Sequence, residues 1–155
     1  VLDTAKQLDA YDSGRIYYYL GEYQKAYLAL DEARDKGGAD SYLYLGRAYA
    51  ATGDYNYASS VYNNYLSKQG PNAEIYNELG LCEMAKKEYQ NALAAFQAGK
   101  QIEGNSLMQT LCFNEIVAYE YLEDYQQAEV LMNAYLQNYP DDQTAIREQQ
   151  FLSTR

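Results

Sequence analysis

The 155 residues fit one domain, and 48% apolar content with only two prolines is enough for a continuous core. Twelve Lys+Arg against 22 Asp+Glu leave a net charge of −10, a field that repels nucleic acid and anionic membrane surfaces. The absence of histidine removes the commonest general base, zinc ligand and pH switch together. Cys82 and Cys112 lack any CxxC spacing or neighbouring metal ligand, so they read as free buried thiols unless the fold brings them together. No stretch approaches the ~18 apolar residues that span a bilayer. A start at Val1 rather than methionine is read as a fragment or processed form of a longer protein. Tyrosine, at 20 copies against three phenylalanines, is the main large packing residue, its hydroxyl at the rim of the core.

In chain order the pattern predicts helices over 4–20 and 23–36, 40–52 and 55–69, 73–86 and 89–103, 106–121 and 125–139, and a last one over 142–153. Breakers separate them: Gly21, Gly37-Gly38, Gly53-Asp54, Gly70-Pro71, Gly104-Asn105 and Tyr139-Pro140. One motif recurs at the start of every second helix. Tyr23, Tyr55, Tyr89 and Tyr125 lie 32, 34 and 36 residues apart, each followed three places on by Ala26, Ala58, Ala92 or Ala128. Four residues beyond each alanine stands a large apolar residue, Leu30, Tyr62, Phe96 and Met132. In the first helices Gly14, Gly46, Gly80 and Ile116 keep the same intervals, followed by Tyr17, Tyr49, Glu83 and Tyr119. A glycine inside a helix costs about 1 kcal/mol relative to alanine, which close approach of the paired helix offsets. The glycines are therefore expected to face the alanines of the second helix.

This pattern resembles the tetratricopeptide repeat, most fully over Tyr42, Leu45, Gly46, Tyr49, Gly53, Tyr55, Ala58, Tyr62 and Pro71. The resemblance implies an all-α, right-handed α-α superhelix of four helix-turn-helix repeats, at about 7–38, 39–72, 73–106 and 109–142, with a C-terminal capping helix over 142–153. Glu83 stands where the family has a tyrosine, Lys87 and Glu123 replace the turn glycine, and Ile116 replaces the packing glycine. These departures predict looser or shifted packing in the fourth unit.

The resemblance further implies that the first helices line a concave groove that binds a protein or peptide. The groove positions flank the packing glycine: Tyr11, Arg15, Tyr18 and Tyr19, then Tyr44 and Arg47, then Asn77, Leu81 and Met84, then Phe113, Asn114 and Tyr121. Arg15 and Arg47 follow their glycines directly and are expected to converge on one carboxylate or phosphate. Asn77 and Asn114 are placed to pair with a peptide backbone. The clamp by which some members hold acidic chaperone tails would need basic or amide groups at Tyr11, Arg15, Tyr44, Glu74 and Glu78, and only Arg15 serves.

No Gly-rich phosphate loop, Ser/His/Asp set or pocketed acid pair appears, so no catalytic residue, cofactor or metal is assigned. The expectation is a protein-interaction module, with a self-associating structural element as the alternative. A bacterial origin is also expected, with the compartment left open between cytoplasm and export.

Overall fold

The computed structural model describes residues 9–34, 36 and 38–155. Among them the regular structure is entirely helical: α1 (Ala10–Tyr19), α2 (Tyr23–Glu32), α3 (Ala39–Ala51), α4 (Tyr55–Gln69), α5 (Ala73–Ala85), α6 (Tyr89–Lys100), α7 (Met108–Tyr121), α8 (Tyr125–Asn138) and α9 (Gln143–Leu152). The start expected for the first helix, at residue 4, lies outside the described residues.

Five of the nine helix starts among the described residues carry a side-chain cap. Asp9, Asp54, Asn72, Asp124 and Asp142 cap α1, α4, α5, α8 and α9 by accepting backbone N–H groups of the first turn. The turn inside each unit is one motif used four times. The Glu22 N–H donates to the Tyr17 carbonyl and the Gly21 N–H to the Tyr18 carbonyl; Asp54 with Gly53, Glu88 with Lys87 and Asp124 with Glu123 repeat the pair of bonds. The motif needs a left-handed residue, so Lys87 and Glu123 adopt φ values of 64° and 60° where the other two units use Gly21 and Gly53.

The helices pack in sequence, each on the next, and α1 also touches α3 while α3 touches α5. No second helix of a unit makes a comparable contact with another second helix among the described residues. Over the first three units, the first helices therefore form the tighter, inner layer of the solenoid. The expectation that glycine meets alanine is corrected here. A Cβ built on Gly14, Gly46 or Gly80 would fall within 2.8 Å of Leu30 Cδ2, 2.6 Å of Tyr62 Oη or 2.6 Å of Phe96 Cδ1. Each glycine makes room for the large residue 16 places on; the alanines, one turn earlier, are fully buried beside that contact.

The expected looseness of the fourth unit shows as a cavity of about 320 Å³ between its two helices, lined by Ile116, Leu131, Ala134 and Tyr135 among others, although the central contact beside it is closed. Ile116 and Met132 are both buried in one cluster with Ala128, Tyr135, Ala145 and Leu152. An unbranched, adaptable methionine accepts the β-branched side chain that stands where the other units have glycine. The residues before α7 form a turn held by Asn105, which accepts from the Leu107 N–H and donates to the Ile102 carbonyl.

Candidate functional site

The inner face is built from α1, α3, α5, α7 and α9, and side chains at recurring positions tie each of these helices to the next. Between α1 and α3 the link is aromatic. Tyr44 lies 5.4 Å from the Tyr18 ring and 5.8 Å from the Tyr19 ring, edge to face in both cases, and the Tyr19 and Tyr44 hydroxyls are 2.6 Å apart in a hydrogen bond. The Arg15 guanidinium sits between the rings of Tyr11 and Tyr44, 5.3 and 5.4 Å from their centroids. Its nearest acid, Asp12, is 3.9 Å away, the Tyr44 hydroxyl is a hydrogen-bond partner, and its Nε is buried and unpaired, which leaves its outer N–H groups open.

Between α3 and α5 the link is ionic. Arg47 donates to Glu78 Oε1 from Nε at 3.0 Å and from Nη2 at 2.6 Å, and to Glu74 Oε1 from Nη2 at 2.9 Å. These two carboxylates outweigh the cost of half-burying the guanidinium and hold its proton more tightly than usual. Arg47 is thus already neutralised by its neighbours, whereas Arg15 is held between rings, so the two arginines meet an incoming acid in different states.

Between α5 and α7 the link is a single amide pair, with Asn114 Nδ2 donating to Asn77 Oδ1 at 2.9 Å. Asn77 is only 7% exposed, so its pairing stabilises the stack of units, and the expected pairing with a peptide backbone falls to the remaining groups of Asn114. Leu81 is 44% exposed on the same face, while Met84 packs partly buried against the α6 and α7 core. Phe113 meets Tyr135 edge to face at 5.7 Å and lines a cavity of about 310 Å³ with Asn114 and Gln109. Tyr121, 58% exposed, stacks one face on Tyr89 at 5.0 Å.

Between α7 and α9 two carboxyls meet. Glu120 Oε1 is buried without a hydrogen-bond partner of its own, and desolvation, reinforced by the charge of Glu148 and a hydrogen bond between the two carboxyls, pushes the Glu120 carboxyl up to about 7. Glu148, Phe151 and Arg155 escaped the sequence reading. Their signal was present: Tyr44, Glu78, Asn114 and Glu148 are spaced 34, 36 and 34 residues apart, so α9 is laid out as a further first helix.

Two other polar features lie off this face. Glu83, almost fully buried, accepts from Ser59 Oγ at 2.8 Å and pairs with Lys86 at 2.7 Å, which explains how a carboxylate replaces the family's tyrosine. Glu115 is likewise buried against Lys100 and Gln97. Cys82 and Cys112 are both free thiols. No group of three or more metal-ligating side chains occurs among the described residues.

Sequence profiles of the tetratricopeptide repeat match residues 11–56 and 45–105, and a second profile matches residues 113–142. The chain belongs to the tetratricopeptide repeat family. Among solved structures, a double mutant of MamA RS-1 superposes with a TM-score of 0.81 at 21% identity, over 99% of this chain and 85% of that one. MamA AMB-1 gives 0.74 at 23% identity over 95% and 80%. The second tetratricopeptide domain of human RPAP3, solved in complex with an HSP70 peptide, gives 0.67 at 17% identity over 76% and 97%. These likenesses establish the all-α superhelical fold. No curated protein sequence matches the chain.

Proposed function

We propose that this tetratricopeptide repeat domain is a protein-interaction module that acts by binding rather than catalysis, holding an extended segment of a protein partner along its inner face. The observation that carries this is the state of Arg15. Its guanidinium is fixed between two rings and 3.9 Å from its nearest acid, a cation already oriented with donors to spare. Tyr19, Leu81 and Tyr121 add exposed apolar surface along the same row, and Phe113 with Asn114 opens a small cavity between Arg15 and the far end. A partner carboxylate suits the Arg15 end. The net charge of −10 argues against nucleic acid as the partner.

Peptides selected from a random display library on the wild-type chain test this reading. Calorimetry should find that Arg15→Glu weakens the selected acidic peptides at least tenfold, while Arg34→Glu, past the end of α2 and paired with Asp31, leaves them unchanged. Equal affinity for all three proteins would refute the assignment of the inner face.

A further inference from the structure

A cavity of about 400 Å³ closes the inner row at its C-terminal end, lined by Glu120, Tyr121, Glu123, Tyr125, Glu148 and Phe151. Three carboxyls and three aromatic rings thus surround it without a basic lining residue. Neither Glu120 nor Glu148 has a cationic partner among the described residues, in contrast to the two acids on the first turns of α5. Glu74 and Glu78 hold the Arg47 guanidinium between them. The rings are also suited to a cation, because one of this chain's own already uses them. The Arg155 guanidinium carbon lies 4.2 Å from the Phe151 centroid and 5.8 Å from that of Tyr125, with no ion pair to the three acids.

We propose that this cavity receives the guanidinium of an arginine from a bound partner segment, its edge turned to Glu120 and Glu148 and its face to Phe151 and Tyr125. Where the partner's chain runs rests on the inner-face reading above; the chemistry of the cavity does not. Two adjacent carboxyls cannot both ionise cheaply, whereas a fork of N–H donors satisfies both and supplies the missing charge. Arg155 shares the rings and so competes with the incoming group. Glu120 is partly protonated near neutral pH, with Glu123 and Glu148 as its acidic neighbours, so binding releases a proton and strengthens as pH rises from 6 to 8.

The test is an NMR titration of the full chain with Nα-acetyl-arginine N-methylamide, beside the citrulline analogue, which has the same shape without the charge. Saturable shifts at residues 120–125 and 148–151 are expected with the arginine compound, and at least tenfold weaker ones with citrulline. Arg155→Ala should tighten binding severalfold, and Glu148→Gln should weaken it at least fivefold with an unchanged circular dichroism spectrum. Phe151→Leu, at a half-exposed position, provides a second variant with the same expected direction. Equal response to the two compounds, or none to either, overturns the assignment. If the arginine compound fails while selected peptides still depend on Arg15, only the cavity assignment falls; if it binds while those peptides ignore Arg15, only the inner-face reading does.

Discussion

Gly46 and Tyr62 occupy one space: the ring of the tyrosine fills the volume that a Cβ on the glycine would take, and Tyr62 is fully buried as a result. Gly46→Ala should therefore destabilise the chain by about 1–2 kcal/mol, because overpacking outweighs the gain in helix propensity. Chemical denaturation of the two proteins checks it, and an unchanged midpoint would show that the ring can move aside.

The hydroxyl of Tyr62 has no hydrogen-bond partner, and burial drives its ionisation far above the usual tyrosine range. The next unit places Phe96 against Gly80 in the same way without a hydroxyl. Tyr62→Phe is accordingly expected to stabilise by about 1 kcal/mol, by removing an unsatisfied buried group while keeping the packing. A loss of stability would reveal a partner for that oxygen.

Lys87 and Glu123 hold left-handed backbone that the matching turns give to glycine. Replacing each by glycine should raise the melting temperature by about 2–4 °C. The two turns lie in different units, so the effects are expected to add. Differential scanning calorimetry of the two single variants and the double variant measures both statements.

The Glu120 carboxyl, held near 7 in the folded chain and lower in the unfolded one, favours the protonated folded state. Its contribution to stability is therefore full below the unfolded value and is lost as pH rises through about 7. In Glu120→Gln the decline of melting temperature between pH 5 and 8 should flatten. A parallel decline in the variant would place the titrating group elsewhere.

Much of this architecture was legible because each unit repeats its punctuation. Helix α4 was read to the residue, with Asp54 as a side-chain cap at one end and Gly70 at the other. Two ends were overrun even so: α2 stops at Glu32 and α6 at Lys100, short of the expected 36 and 103, because Gly37-Gly38 and Gly104-Asn105 mark where a helix can no longer continue and not where it stops. The packing partner of the glycines was misread because small-against-small is only one way to bring helices close. Glycine against a large ring does so as well, and one turn of helix decides between them. The fate of Arg47 was hidden for another reason. Its acids lie 27 and 31 residues away, on a helix whose register becomes known only once the units are stacked. The acid–aromatic cavity was missed because the repeat was taken to end at 142, leaving Glu148 and Phe151 without assigned positions.

The central claim is that the inner row from Arg15 to Tyr121 is the surface that meets a partner. Backbone amide shifts of the isotope-labelled chain, recorded as a library-selected peptide is added to saturation, test it most directly. The largest shifts are expected in α1, α3, α5 and α7, around Arg15, Tyr44, Leu81 and Tyr121. Shifts concentrated instead in α2, α4, α6 and α8, with the inner helices unmoved, would contradict it.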